Sequence, residues 1–194
     1  VPDVSATWDV LGSIGTIDSA GLLRATTAGH GTVRARYGTV SDTTDSIHVL
    51  SGALSRIDVV PDTGVIAADS SLLFDVAGFD AQGNPVASGD VSWSVLGGTG
   101  ATIYHPGLLV PDSVGTVRIT ASAEGVVDTT KQFRVVPGSL AGVELAPRTF
   151  DTLTVGDTVR LSVTGFDSRK NPVEPDMLYF GMIENDVGTV DSTG

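Results

Sequence analysis

Segments of this chain occur more than once, and that repetition constrains its fold more than any composition does. "GFDAQGNPV" at 78–86 returns as "GFDSRKNPV" at 165–173, 87 residues on. "LSRIDVVPDT" at 54–63 aligns with "LAGVELAPRT" at 140–149, an offset of 86. "TWDV" at 7–10 precedes "SWSV" at 92–95 by 85, and "GTVRARYG" at 31–38 precedes "GTVRITASAEG" at 115–125 by 84. A heptad near the start, "GTIDSAG" at 15–21, is echoed by "GTVDSTG" at 188–194. These pairs predict a complete repeat over 51–137, preceded by the C-terminal half of one over 1–50 and followed by the N-terminal two-thirds of another over 138–194. The expectation is a stretch cut from a longer tandem array. The rival is strand exchange, in which the two partial repeats complete each other. Both contain the GT(I/V)DS(A/T)G segment, and a complementing pair has no reason to duplicate it.

Within the complete repeat, apolar residues alternate with a period of two: Ile57 and Val59; Leu72, Phe74 and Val76; Val91, Trp93 and Val95; Val117, Ile119 and Ala121; Phe133 and Val135. Turn formers separate the runs, at Pro61-Asp62, Gly83-Asn84-Pro85, Gly97-Gly98, Pro111-Asp112 and Glu124-Gly125. Short half-buried strands with no stretch of helical period predict an all-β fold: tandem immunoglobulin-like antiparallel β-sandwiches, one complete and two partial. Trp93 is placed at the centre of the core, with Trp8 at the matching position of the first repeat and Phe180 or Tyr179 at that of the third.

The chain carries a net charge of −12 and no basic stripe to neutralise phosphates, which argues against a nucleic-acid partner. No run approaches the ~18 consecutive apolar residues of a membrane-spanning helix. Cysteine is absent, so neither disulfides nor thiolate metal sites hold the fold.

"VSWSV…GLLVPDSVGTVRITASAEG" and, more closely, "TWDVLGSIGTIDSAGLLRATTAGHGTVRARYG" at 7–38 resemble the bacterial immunoglobulin-like domains of the second group, found in invasin- and intimin-type surface proteins. "FDAQGNPV" and "FDSRKNPV" resemble the D-x-x-G-N-P-V hairpin of the related invasin-type group. The resemblance covers essentially the whole chain. It implies the sandwich fold and an extracellular or cell-surface setting; such modules serve as spacers, adhesins and appendages. Two places depart from the pattern: "ATIYHPG" at 101–107 replaces the Asp-Ser pair, and "SRKN" at 168–171 lacks the turn glycine.

Signals for catalysis are absent. No G-x-S-x-G occurs, and His30, His48 and His105 share no motif spacing. His30, between two glycines, reads as a turn residue; His48 reads as outward-facing on a strand. There is no H-E-x-x-H and no paired histidine spacing for zinc. "GGTG" at 97–100 lacks the G-K-[ST] of a phosphate loop. The chain is expected not to be an enzyme and to need no cofactor. Calcium is the one metal with support, because Asp80, Asn84 and Asp90 gather in one loop and Asp167 and Asn171, with Glu174 and Asp176, in its repeat. The same side chains have an ordinary alternative use, bonding local backbone N–H groups and shaping the turn before proline.

The connections between repeats are very short, at 49–52 and 136–139, so tandem sandwiches predict a semi-rigid rod or fibre element. Its partners are then the neighbouring repeats of the same chain, other copies in a fibre, or a host or surface ligand. The alternatives are an adhesin or carbohydrate-binding accessory module, using Tyr37, Phe79, Tyr104 or Phe166, and a phage or virion appendage.

Overall fold

The computed structural model describes residues 6–98, 100–150, 152–176, 178–182 and 188–192. Twenty strands and no helix occur among them. The first repeat holds β1 (Thr7–Leu11), β2 (Gly15–Ile17), β3 (Leu23–Ala25), β4 (Gly29–Tyr37), β5 (Val40–Thr43) and β6 (Ile47–Val49). The middle repeat begins with β7 (Arg56–Val60), β8 (Gly64–Ala67), β9 (Leu72–Leu73), β10 (Asp75–Phe79), β11 (Pro85–Val86) and β12 (Ser92–Leu96). It continues with β13 (Ala101–Tyr104), β14 (Leu108–Pro111), β15 (Gly115–Ala123), β16 (Val126–Thr129) and β17 (Phe133–Val136). The third repeat has β18 (Gly142–Ala146), β19 (Ser162–Phe166) and β20 (Pro172–Val173).

Two compact units divide the chain, and their borders do not follow the repeats. One comprises Val1–Val60, Val76–Ser92 and Ala121–Asp128; the other comprises Pro61–Asp75, Trp93–Thr120 and Thr129–Gly194. Each therefore combines a flanking partial repeat with part of the middle one. In the first unit, β1-β4-β5 form a sheet with β6 also on β4, β2 pairs β3, and β11-β10-β7 form a third ladder. Ile14 and Val33 are buried in the first repeat, Ile57 and Val59 on β7. In the second unit, β13-β14-β9 and β18-β19-β20 form three-stranded sheets. The sheet β12-β15-β17-β8 closes with a parallel pair, Phe133 to Val136 against Gly64 to Ala67, an exception to the antiparallel expectation.

The inward set predicted from alternation is buried at Val117, Ile119, Phe133 and Val135. The centre of this core differs from the expectation. Phe74 and Phe133 are each 1% exposed and meet edge to face at 5.1 Å, while Trp93 is only half-buried and lies tilted against Phe74 at 6.4 Å. The indole is wide enough to cover the core's flank, and it does so under a turn glycine. A Cβ on Gly107 would lie 2.9 Å from the Trp93 ring, and one on Gly21 2.9 Å from Trp8, which is also half-buried. Both glycines have positive φ, +130° and +82°. The last glycine of the heptad thus does two things: it turns the chain and admits the tryptophan. Its other predicted part also stands, with Asp18 Oδ1 accepting from the N–H groups of Ala20 and Leu22 at 2.9 Å. The closing residues of the second heptad, 193–194, lie outside the described residues. The Trp93 Nε1 is buried with no hydrogen-bond partner, the one such side-chain atom among the described residues.

The repeats superimpose in register at 86, not at the 84 suggested by the shared "GTVR". Gly29, His30 and Gly31 pair with Val49, His48 and Ile47, as Gly115, Thr116 and Val117 pair with Val135, Arg134 and Phe133. The Thr44 hydroxyl accepts from Val33 N–H at 3.0 Å, and Thr130 from Ile119 at 2.9 Å. A slip of two residues keeps every side chain on its own face of the strand, so alternation alone cannot detect it. His30 accordingly lies within β4, not in a turn.

In the third repeat, residues 178–182 form no strand, and Phe180 is half-buried beside Val163 and Leu145, whereas Tyr179 is 87% exposed. In the first repeat the tryptophan strand β1 is held by β4.

Candidate functional site: the loops that join the repeats

Asp80 and Asn84 bound a five-residue turn between β10 and β11. Asp80 N–H donates to the Asn84 carbonyl at 2.9 Å, and Gly83 N–H to the Asp80 carbonyl at 3.1 Å. The Asp80 carboxylate fills the inside of the turn. Its Oδ1 accepts from Gln82 and Asn84 N–H groups, and its Oδ2 from the Asn84 side-chain amide and from Gly52 N–H, all at 2.8–2.9 Å. Gly52 belongs to the connection between the first and middle repeats, so the carboxylate ties that connection to the turn.

The Asn84 amide faces the other way as well. Its Nδ2 donates to the Thr26 carbonyl at 3.0 Å, and its Oδ1 accepts from Ala28 N–H at 2.9 Å. Thr26 and Ala28 lie between β3 and β4 of the preceding repeat. One side chain thereby satisfies a donor and an acceptor on a neighbour's backbone, with Pro85 immediately after it.

The arrangement recurs inside the second compact unit. Asp167 Oδ1 accepts from Arg169 and Asn171 N–H groups, and Oδ2 from Gly138 N–H and the Asn171 amide, at 2.8–2.9 Å. Asn171 Nδ2 donates to the Asp112 carbonyl at 3.1 Å, and its Oδ1 accepts from Val114 N–H at 3.2 Å. Every partner is displaced by 86 or 87 residues from its counterpart. The missing turn glycine does not alter the geometry: Lys170 itself adopts φ +67° where Gly83 has +85°. That conformation costs a side-chain-bearing residue roughly 1 kcal/mol, and the Lys170 ammonium packs 3.6 Å over the Phe166 ring.

All four side chains are buried, Asp80 at 4% exposure and Asp167 at 0%. The Gly52 N–H, then the Asn84 amide, hold the Asp80 carboxyl down at about 2, against an ordinary 3.8. Burial pushes Asp167 upward, but the N–H donors of Gly138, Asn171 and Arg169 outweigh it and leave this carboxyl also at about 2. Both are carboxylates because hydrogen-bond donors converge on them, not because a cation sits opposite.

For calcium, the consequence is specific. The structure brings Asp80 to Asn84 and Asp167 to Asn171, but Asp90, Glu174 and Asp176 are exposed and stand outside the networks. The oxygens a cation would need already accept two hydrogen bonds each at Asp80. Among the described residues no three His, Asp or Glu side chains gather where a metal ion could be held.

The aromatic residues considered for ligand contact divide in two. The Arg56 guanidinium covers the Phe79 ring at 4.5 Å and Lys170 covers Phe166, so each ring already has a cation of the chain on its face. Tyr37 and Tyr104 are each 56% exposed. Two features were hidden from the sequence: the reach of Asn84 and Asn171 into the preceding repeat, and the meeting of His30 with His48. The shared period of the D-x-x-x-N motif and of Gly52 and Gly138 marks the turn and its connection, but Thr26, Ala28, Asp112 and Val114 take part through backbone alone and leave no side-chain signal for the first.

Among solved structures the chain is similar to FdeC, an Escherichia coli adhesin, with 24% identity and a TM-score of 0.51 over 77% of this chain and 54% of that one. It is matched to the S-layer protein rSbsC(31-844) with 20% identity and a TM-score of 0.40, over 89% of this chain and 24% of that one. A third match is invasin, a bacterial integrin-binding protein, with 17% identity and a TM-score of 0.39 over 90% and 49% of the two chains. The chain spans about a quarter of the S-layer protein and about half of FdeC. No protein-family model matches it, and no curated protein does. The likeness to FdeC shows the fold class: all-β, of immunoglobulin-like β-sandwich type.

Proposed function

We propose that this chain is a non-enzymatic structural segment of a cell-surface or extracellular protein, built from bacterial immunoglobulin-like repeats of the second group and acting as a semi-rigid extension. The observation that carries this reading is the hydrogen-bonded lock at both connections, in which a buried Asn grips the backbone of the preceding repeat and a buried Asp grips the connection itself. Connections of a few residues whose own N–H groups are held leave little hinge freedom. Small-angle scattering tests it. The chain should give an elongated particle, and the double variant Asn84→Ala/Asn171→Ala a broader distribution of shapes. A compact wild-type particle overturns the proposal.

The segment works without a cofactor in this reading, because the loop carboxylates serve the lock. Adding calcium should leave the melting temperature unchanged; a clear rise would assign those loops to metal instead. An adhesive role is the second reading, favoured by the exposed Tyr104 at the "ATIYHPG" departure. It predicts that Tyr104→Ala weakens binding to a glycan or host protein while leaving the fold intact.

A further inference from the structure

Two of the chain's three histidines meet where no motif announced them. His30 on β4 and His48 on β6 are direct cross-strand partners, and their rings stack with centroids 4.2 Å apart and planes 7° from parallel. Both are exposed. No hydrogen bond or ion pair reaches either imidazole among the described residues. The register-matched pair in the middle repeat is Thr116 and Arg134, so the fold does not demand histidine there.

Residues directly opposite in an antiparallel ladder carry Cβ atoms roughly 4.5–5.5 Å apart. Two imidazoles on such a base project together, with ring nitrogens unengaged by the protein. A borderline cation binds imidazole nitrogen at about 2.0–2.1 Å. Bringing two nitrogens to one ion requires only ring rotation about χ2, a broad and soft torsion. The ligand set is nitrogen without carboxylate, which suits late first-row ions and does not suit calcium.

We propose that His30 and His48 form a two-imidazole surface site for a late first-row divalent cation, namely copper(II), nickel or zinc, with water completing the coordination. The site clips β6 to β4, and it is independent of the structural reading of the connections.

The experiment is calorimetric titration of the full chain with copper(II), nickel and zinc chlorides in a non-chelating buffer at neutral pH. One cation per chain is expected, with copper(II) the tightest. His30→Ala and His48→Ala should each lower affinity at least about tenfold, since each removes the second, intramolecular ligand. His105→Ala should bind as the wild type does. Absence of saturable binding, or undiminished binding by the His30→Ala/His48→Ala double variant, overturns the proposal. A variant that fails to fold is replaced by a measurement on the wild type: substoichiometric copper(II) should broaden the ring resonances of His30 and His48 before those of His105. Equal broadening of all three overturns the site.

Discussion

The two connections in this chain share one set of hydrogen bonds and differ in nearly everything around it. At the first, the Ser51 hydroxyl donates to the Pro85 carbonyl at 2.8 Å. At the second, Pro137 occupies the matching position, and other groups assist instead: Asp69 accepts from Ser139 N–H at 2.9 Å, and Arg169 forms an ion pair with Asp112. Gln82 and Thr26 stand where Arg169 and Asp112 would be, so the first connection has no such pair. What stays constant is the Asp carboxylate, the Asn amide and three backbone segments. Buried polar groups in this network have no water to fall back on, whereas the exposed additions do. Exchange of the additions is therefore tolerated, and exchange within the network is not.

Acid should break both connections at once, and this is the largest expected effect. Asp80 and Asp167 lie at about 2 when folded, against 3.8 for an ordinary aspartate. A depressed carboxyl stabilises the fold above its unfolded value, and that contribution disappears as pH falls from 3.8 through about 2. Melting temperature should drop steeply across that window. The double variant Asp80→Asn/Asp167→Asn, already weaker at neutral pH, should show a shallower drop.

Asn84→Ala and Asn171→Ala come next. Each orphans a backbone donor and acceptor in the preceding repeat, with an expected loss of about 2 kcal/mol in denaturant unfolding. Near-equal losses at the two positions would support a common lock, and a neutral result at either would break the comparison.

The glycines sharpen it further. A Cβ at position 138 would lie 2.1 Å from the Asp69 carboxyl carbon, whereas at position 52 it would meet Asp80 at an ordinary 3.5 Å. Gly138→Ala should displace Asp69 from Ser139 and cost about 1 kcal/mol, while Gly52→Ala should be almost silent in the same unfolding assay. The smallest effect belongs to the ion pair. Arg169 and Asp112 side chains are 43% and 47% exposed, so Arg169→Gln should change stability by less than about 1 kcal/mol, and less still in high salt.

Much of the sandwich was legible because alternation reports faces. Ile57, Val59, Ile119 and Val135 point inward as their spacing requires. The Asp18 turn was legible because its bonds are local. The register was not: "GTVR" matches "GTVR" two residues away from where the strands align, and an even slip leaves the pattern of faces untouched. Trp93 was placed too deep because size suggests a centre, while Phe74 and Phe133 fill the centre and leave the indole at the side. Of the site, the turn made by Asp80 and Asn84 could be read from the residues themselves. The second half of Asn84's work could not, since Thr26 and Ala28 offer only backbone. His30 and His48 are likewise joined by strand pairing alone.

One consequence of the lock concerns chemical ageing. Asparagine in proteins deamidates chiefly when the backbone nitrogen of the following residue attacks the side-chain carbonyl. Asn84 and Asn171 are followed by Pro85 and Pro172, whose nitrogens carry no hydrogen. That route is closed at both locks. Its product would place a second carboxylate against Asp80 or Asp167 and repel it. The proline after each asparagine thus protects the residue on which the connection depends from conversion into the residue that would open it, over times far longer than any folding event.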